Sequence, residues 1–271
     1  MLRLLNFSGL LLCGFFSGML LAAEKNISAR DIVDRCDNKY PGEYQQSQLS
    51  ITLKDRSKNE RKHVYIRLWK DMKGEQNVID KMLLFTVYPP DAKGAAFMRW
   101  SHTRDSEKNA EQWIYLPVLK KIRRVSVRDL GDSFLGSDLT YGDISWRGTD
   151  DDTHKLIRTD KDQTGQQYYV IESRPKEKQP QYSSRLSWYK KTNDWEACVK
   201  ARIDYFDRKG ALLKRQELTW QKQGPAWVWD KVIVRNAQTF HSSLFEVSNV
   251  TINKKISDNI FTERRLRLGL K

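Results

Sequence analysis

Hydrophobic and polar residues alternate along most of the chain with the two-residue period of a β-strand. In residues 197–206, apolar or aromatic side chains at every second position alternate with polar ones, and similar runs recur between residues 49 and 253. Turns of hairpin length separate most of these runs, which is typical of antiparallel strands. The pattern predicts about twelve strands in a mainly β, antiparallel fold that is either a sandwich or a curved barrel.

A helix is predicted at residues 28–39, before the first strand. Ser28 can cap its first turn, and Ile32, Val33 and Cys36 form a narrow apolar stripe at helical spacing. A proline and a glycine follow the helix and end it. At the other end of the chain, a short turn is predicted to lead into a basic tail.

Some strands are apolar on both faces. Residues 82–88 are the clearest case, and residues 95–100 and 112–116 repeat this character. Such a strand needs a cover on each side, which an antiparallel sheet with one helix cannot offer everywhere. One solution is a curved sheet whose concave face lines a hydrophobic cavity.

Residues 129–146 interrupt the strand pattern. The segment is rich in glycine, serine and aspartate, yet it retains Phe134, Leu135, Leu139 and Tyr141, which a flexible linker would not. We therefore expect an ordered loop that packs over another part of the protein. Together with the N-terminal helix, this loop could act as a lid over the cavity.

The first 23 residues have the features of a cleavable signal peptide. Arg3 precedes an apolar stretch over residues 10–21, and Ala22-Ala23 provide small residues at the expected cleavage point. The alternative is an uncleaved membrane anchor, but glycine and serine residues interrupt the apolar stretch. Cleavage would leave residues 24–271, which we expect to form a single domain outside the cytoplasm.

The chain has a formal net charge of +14, or +13 without Arg3. Such a charge favours anionic membrane surfaces, anionic polymers or acidic proteins as partners. Nucleic acid is not expected, because the predicted signal peptide implies export and the basic residues are dispersed. A solvated basic surface without a dedicated ligand is the alternative that the sequence leaves open.

Two cysteines remain after cleavage, Cys36 and Cys198. An oxidising compartment permits a disulfide between them, and chain entropy would credit so distant a pair with up to about 5 kcal/mol. Two buried, unbridged thiols are the alternative. The sequence leaves both interpretations open.

Motifs for catalysis or metal binding are weak. The four histidines have no metal-ligand spacing, and the most suggestive cluster is Asp150-Asp151-Asp152 with His154. Consecutive residues in a polar stretch point in different directions, which is typical of a solvated loop. We therefore expect neither an enzyme nor a bound cofactor or metal, and a hydrolase would need this cluster to converge on a cleft.

Several segments along the chain share a family pattern. They are Ile32-Val33, Leu83-Leu84-Phe85, Pro89-Pro90-Asp91-Ala92-Lys93-Gly94, Gln112-Trp113-Ile114-Tyr115-Leu116-Pro117, Lys121-Ile122-Arg123-Arg124, Phe134-Leu135-Gly136-Ser137-Asp138-Leu139-Thr140-Tyr141-Gly142-Asp143 and Ile260-Phe261-Thr262-Glu263-Arg264-Arg265-Leu266. These segments resemble the outer-membrane lipoprotein-sorting proteins of the LolA-like family. The resemblance covers essentially all of residues 24–271, and the block from Trp113 to Asp143 is its most specific part.

The resemblance implies an eleven-stranded, half-open β-barrel closed by helices, with acyl chains held on its concave face. It implies a periplasmic carrier that shuttles lipid or lipoprotein between the inner and outer membranes. Members of this branch are often associated with RND-type lipid exporters. The implied partners of a monomeric carrier are therefore acyl chains, such an exporter, an outer-membrane acceptor and, transiently, the membrane surface. No catalytic residue comes with the resemblance.

Nine residues are predicted to line the cavity. They are Leu84, Trp100, Trp113, Tyr115, Phe134, Leu135, Trp188, Tyr205 and Trp229. Alternation separates the two faces of a strand but does not identify the concave one. An open apolar cavity would favour a carrier. A solid core would favour the alternative, an envelope scaffold or adaptor that binds a transporter or an anionic polymer with its basic surface.

Overall fold

The computed structural model describes residues 27–178 and 180–270, so the predicted signal peptide lies outside the described residues. Within that range, the helices α1 (Ala29–Asp37) and α2 (Glu263–Leu268) flank a sheet of thirteen strands. The strands are β1 (Tyr44–Lys54), β2 (Glu60–Asp71), β3 (Val78–Tyr88), β4 (Ala96–His102), β5 (Glu111–Leu116), β6 (Lys121–Arg124), β7 (Asp152–Lys161), β8 (Gln167–Pro175), β9 (Ser184–Lys190), β10 (Lys200–Phe206), β11 (Leu212–Gln223), β12 (Ala226–Asn236) and β13 (Ser242–Ile252). No helix in the described range has the length and apolar character needed to cross a membrane.

All thirteen strands belong to one antiparallel sheet in the order β6-β5-β4-β3-β2-β1-β13-β12-β11-β10-β9-β8-β7. Strands that follow one another in the chain are therefore neighbours in the sheet, with the one exception of β6 and β7. β1 pairs with β13 and joins the two halves of the sheet. β6 and β7 are its two edges, and residues 125–151 connect them. We call these residues the crossing segment.

The sheet is curled, because strands that are far apart in it contribute to one hydrophobic core. Leu84 of β3, Tyr205 of β10 and Val232 of β12 all belong to this core. Their shared face is therefore concave, while the edges β6 and β7 do not pair with each other. The predicted half-open antiparallel β-barrel is confirmed, with thirteen strands rather than the eleven that the resemblance implies.

The outer face of the sheet is covered in part by the C-terminal residues. Phe261 and Leu266 are fully buried in a cluster with Leu83 and Trp113. The expected basic tail is thus a short helix, α2, which Thr262 caps and which the buried Leu266 fixes to the sheet. The strands that are apolar on both faces are therefore covered on both sides, by the concave core on one face and by the cluster around α2 on the other. Their two apolar faces do not require an empty cavity.

Helix α1 packs on the second half of the sheet and is anchored covalently. Ile32 and Val33 are buried there, and Cys36 is joined to Cys198 by a disulfide with 5.0 Å between the Cα atoms. The bridge ties α1 to the residues that precede β10. Of the two elements predicted to act as a lid, only the crossing segment is therefore free of a covalent cross-link.

Candidate functional site

The crossing segment lies over the concave face and fills much of it. Phe134, Leu139 and Tyr141 are buried in the core of that face. Phe134 meets Phe97 of β4 edge-on, with 5.1 Å between the ring centroids, and Tyr141 lies 6.0 Å from the same ring. The loop therefore packs over the sheet at the position predicted for a lid.

Short turns, rather than strands or α-helices, build the crossing segment. Leu135 and Gly136 have positive φ angles of 53° and 78°, which reverse the chain. A Cβ atom at Gly136 would lie 3.3 Å from Leu53 Cδ1, so glycine also permits close approach to β1. Around this reversal the Phe134 N–H donates to the Leu139 carbonyl at 2.7 Å. Backbone hydrogen bonds to residues outside the segment lie at its two ends, where the Val125 N–H donates to the Gln112 carbonyl at 2.9 Å and the Lys176 N–H donates to the Asp151 carbonyl at 3.0 Å. Between these ends the backbone hydrogen bonds of the segment are internal.

A buried polar cluster holds the crossing segment on the concave face. Asp143 Oδ2 lies 2.5 Å from Lys214 Nζ on β11, and both side chains are almost fully buried. Lys214 also donates to the Asp138 carbonyl at 2.7 Å, and the Tyr182 hydroxyl donates to Asp143 Oδ1 at 2.9 Å. The Tyr205 ring centroid lies 4.9 Å from Lys214 Nζ.

The tyrosines of this region remain neutral. Burial, followed by the charge of Asp143, raises the pKa of Tyr182 and the pKa of Tyr205 well above the ordinary value. Burial likewise raises the pKa of Tyr141. A neutral phenol keeps its proton, so Tyr182 stays a hydrogen-bond donor to the Asp143 carboxylate.

Further polar contacts attach the crossing segment to the first half of the sheet and to β13. The Asp138 N–H donates to Ser243 Oγ at 2.9 Å, and the Ser243 hydroxyl donates to Asp138 Oδ2 at 2.6 Å. Gln112 Nε2 donates to the Tyr141 carbonyl at 3.2 Å, and Arg99 donates to another carbonyl of the segment. Because water can replace such hydrogen bonds, a neutral one contributes only about 1 kcal/mol net, and those of the Asp138 carboxylate and the Arg99 guanidinium about 1.5–3 kcal/mol each.

A cleft of about 990 Å³ opens beside the crossing segment. It lies between the two halves of the half-open barrel, because the end of β4, the crossing segment and the connection from β8 to β9 all line it. Leu130, Tyr182 and Tyr205 form its apolar wall next to the core. The rest of the lining is largely polar and includes more basic than acidic side chains.

Five of the nine predicted cavity residues lie in or against the core of the concave face. They are Leu84, Phe134, Leu135, Tyr205 and Trp229. Two of these, Phe134 and Leu135, come from the crossing segment and the other three from the sheet. The space that an acyl chain would need between them is occupied by the crossing segment itself.

The remaining four predicted residues lie on the outer face. They are Trp100, Trp113, Tyr115 and Trp188. The first three belong to the cluster around α2. On β5, Ile114 points to the concave core, so its neighbours Trp113 and Tyr115 point to the outer face. Trp188 donates from Nε1 to Asp160 at 2.8 Å, and its ring lies 4.0 Å from the Arg202 guanidinium carbon. A position one residue out of phase faces the other side of a strand, so these four do not join the first five.

The aspartates at positions 150–152 make separate structural contacts. Asp150 pairs with Arg30 at 2.9 Å, whereas Asp152 pairs with Arg147 at 2.6 Å. His154 Nδ1 lies 2.8 Å from Ser173 Oγ. The cluster therefore does not converge as a hydrolase would require. Across the described residues, no group of three or more histidine, cysteine, aspartate or glutamate side chains is placed to hold a metal ion.

Two guanidinium groups share the buried carboxylate of Asp152. Arg147 Nε and Nη2 and Arg185 Nη2 all donate to it. Burial raises the pKa of Asp152, but the hydrogen bond from Arg147 and the charges of Arg185 and Arg147 outweigh burial. The net result is a pKa below the ordinary value.

Asp143, Lys214 and Tyr182 are not among the predicted site residues. One signal for Lys214 exists in the sequence, because it lies in phase with Leu218, a core residue of the same strand. A lysine at a core-facing position requires an acidic partner. That partner, Asp143, is 71 residues away and lies outside any regular element, so alternation alone does not identify it.

Solved structures with a similar fold include the following three. An outer membrane lipoprotein-sorting protein domain from Vibrio parahaemolyticus is 24% identical, with a TM-score of 0.78 over 88% of this chain and 98% of that chain. A DUF1329 family protein from Desulfovibrio piger is 23% identical, with a TM-score of 0.79 over 88% and 97%. A LolA superfamily protein from Nitrosomonas europaea is 20% identical, with a TM-score of 0.66 over 88% and 99%. No curated protein matches the chain.

A family model covers most of the sequence. It matches residues 79–268, from β3 to α2, and its description reads "Uncharacterized protein". The match includes the crossing segment, the buried polar cluster and the second half of the sheet. The chain therefore belongs to this family, and its fold is that of the LolA-like, outer-membrane lipoprotein-sorting proteins.

Proposed function

We propose that this protein is a periplasmic carrier that binds the acyl chains of a lipid or lipoprotein on the concave face of its sheet. The observation that carries the proposal is the way in which the crossing segment is attached over that face. Phe134, Leu139 and Tyr141 of the crossing segment pack into the apolar concave core, and between its two ends the segment is attached to the sheet through side chains and not through strand pairing. A cover of this kind can move aside while the sheet stays intact.

An acyl chain would take the place of the crossing segment. Phe134, Leu139 and Tyr141 now make the contacts that lipid tails would make with the concave core. Each buried CH₂ of a tail contributes about 0.8 kcal/mol, so a chain of ordinary length can offset the loss of these contacts. Binding and release then depend on the difference in affinity between the covered and uncovered states.

What the structurally similar proteins are called supports the proposal. The protein from Vibrio parahaemolyticus is described as an outer membrane lipoprotein-sorting protein domain, and its fold spans almost the same length. Transfer of such a cargo from an RND-type exporter in the inner membrane to an outer-membrane acceptor is the route that we infer for this chain.

An exposed apolar hairpin supports contact with a membrane surface. Val118 and Leu119, between β5 and β6, are 87% and 59% exposed. Lys120 and Lys121 follow them directly. Apolar side chains beside lysines suit the boundary between acyl chains and anionic headgroups, where a carrier would collect or deliver its cargo.

Lipid binding to the purified protein tests the proposal. We expect native mass spectrometry of protein isolated from envelopes to detect a co-purified lipid, and a fluorescent fatty acid to bind and to compete with that lipid. A homogeneous mass of the protein alone, together with no binding of the fatty acid, would contradict the carrier function.

An envelope scaffold or adaptor is the second candidate. One observation favours it: the concave core is filled, because Phe134 and Leu139 already occupy it. A scaffold would keep the crossing segment in place at all times and would bind its transporter or polymer through basic surface residues. The two functions therefore differ in whether the crossing segment moves when a ligand binds.

A further inference from the structure

The cleft beside the crossing segment has an excess of positive charge in its lining. Seven lysine and arginine side chains face four carboxylates there. One of those carboxylates, Asp143, is already paired with Lys214 in the buried polar cluster. Asp152, which does not line the cleft, neutralises one of the seven cations, so the cleft retains a net excess of positive charge.

Arg147 and Arg185 are the most constrained cations of the cleft. Both line it, and both donate to the single buried carboxylate of Asp152. Two guanidinium groups on one carboxylate leave a surplus of one positive charge in a partly buried place. Glu177 lies 3.7 Å from Arg147, but it is half exposed, and such a pair contributes little.

Arg185 also keeps hydrogen-bond donors available. Its Nη2 donates to Asp152, whereas its Nε and Nη1 have no acceptor among the residues that the structure describes. Asp152 holds Arg185 through Nη2 alone, so the Nε and Nη1 groups remain available for a further acceptor. Planar guanidinium groups in this state bind phosphate or carboxylate oxygens strongly, often through two parallel hydrogen bonds.

We infer that this cleft binds the phosphate of an amphiphilic cargo, with Arg147 and Arg185 as the phosphate-binding residues. The apolar wall of the same cleft, Leu130, Tyr182 and Tyr205, leads from these arginines to the concave core. A headgroup at the arginines would thus place its acyl chain at the edge of the crossing segment. The phosphate site is inferred from the cleft residues alone, whereas its assignment to a lipid headgroup rests on the proposed carrier function.

Three probes distinguish binding of the phosphate group from binding of the alkyl chain. They are octyl phosphate, octyl glucoside and inorganic phosphate, each titrated calorimetrically into the full exported protein. We expect octyl phosphate to bind best, and Arg185→Gln and Arg147→Gln each to weaken its binding about tenfold or more, the effect of losing a charge-assisted hydrogen bond. Arg185→Lys should retain part of the affinity. The matched control is Arg235→Gln, because Arg235 pairs with Glu217 at an exposed position on β12. Near-ultraviolet circular dichroism identifies any variant that does not fold, and if one glutamine variant fails to fold, the other alone is compared with the wild type.

Each outcome decides one part of the inference. Equal binding of octyl phosphate and octyl glucoside, unchanged in both glutamine variants, would overturn the phosphate site and leave acyl binding intact. Equal binding of inorganic phosphate and octyl phosphate, lost in both variants, would support the phosphate site and overturn the lipid headgroup as its source. No binding of any probe would overturn the inference and count against the carrier as well.

Discussion

Asp143 of the crossing segment and Lys214 of β11 form an ion pair of 2.5 Å whose side chains are only 4% and 2% exposed. The pair joins an irregular segment to the wall of the barrel, and the Tyr182 hydroxyl and the Asp138 carbonyl complete its hydrogen bonds. A buried charge is stable only with its partner. The pair is therefore a buried attachment between the crossing segment and β11.

Removing one partner of this pair should destabilise the protein strongly. We expect Asp143→Asn or Lys214→Met to lower the free energy of unfolding by about 3–5 kcal/mol, because each leaves an unpaired buried polar group. Urea-induced unfolding measures the change. The double variant should lose less than the sum of the two single variants. Strictly additive losses would show that the pair is not coupled.

The disulfide between Cys36 and Cys198 should stabilise the fold as a whole. It spans 162 residues, so its removal in Cys36→Ser/Cys198→Ser should cost up to about 5 kcal/mol of stability through the entropy of the unfolded chain. Thermal unfolding with and without reductant measures the effect. The double serine variant is the control, because its melting temperature should not respond to reductant. A wild-type melting temperature that also ignores reductant would contradict the bridge.

Acid should remove the stabilisation that Asp152 provides. Its pKa is lower in the folded protein than in the unfolded chain, so its contribution is fully present above the unfolded value of about 4 and is lost as the pH falls through the folded value. We expect Asp152→Asn to be less stable than the wild type at pH 7 and to approach it below about pH 4.

Chemical unfolding between pH 7 and pH 3 tests this expectation. The exposed Asp105 provides the control, since Asp105→Asn should change stability little across the range. A constant difference between Asp152→Asn and the wild type at every pH would show that the ion pairs of Asp152 contribute no pH dependence.

The exposed hairpin between β5 and β6 should mediate membrane contact. We expect Val118→Asp/Leu119→Asp to abolish flotation of the protein with vesicles that contain anionic lipid, because the aspartates oppose both insertion and the anionic surface. The control is Phe240→Asp, since Phe240 is 61% exposed on the hairpin between β12 and β13. Equal loss of flotation in both variants would assign the effect to charge alone and not to the hairpin.

The strands and their antiparallel order could be predicted from the sequence because period-two alternation and hairpin turns are local signals, whereas the choice of a half-open barrel over a sandwich came from the family resemblance. The concave side could not be predicted, because alternation does not distinguish the two faces of a strand. Leu49 illustrates this: it lies opposite Tyr65, so the apolar positions Ile66 and Leu68 on β2 face the other side, towards α2. For the same reason Trp113 was predicted to line the cavity, although its neighbour Ile114 is the residue that faces the concave core.

The crossing segment was predictable as an ordered loop, since Phe134, Leu139 and Tyr141 are too apolar for a linker. Its attachments were not. Asp138 contacts Ser243, which is 105 residues further along the chain, and the geometry of the curled sheet alone brings the two together. Patterns within a short stretch of sequence do not predict contacts between residues so far apart in the chain.

The central claim is that acyl chains bind where the crossing segment now lies. A cross-link between Asp138→Cys and Ser243→Cys tests it, because these side chains are in hydrogen-bond contact at 2.6 Å and the bond would fix the segment to β13. The two single cysteine variants, which cannot form the cross-link, are the controls. We predict that the oxidised double variant fails to bind fluorescent fatty acid while both single variants bind it. Equal binding by all three would contradict the claim.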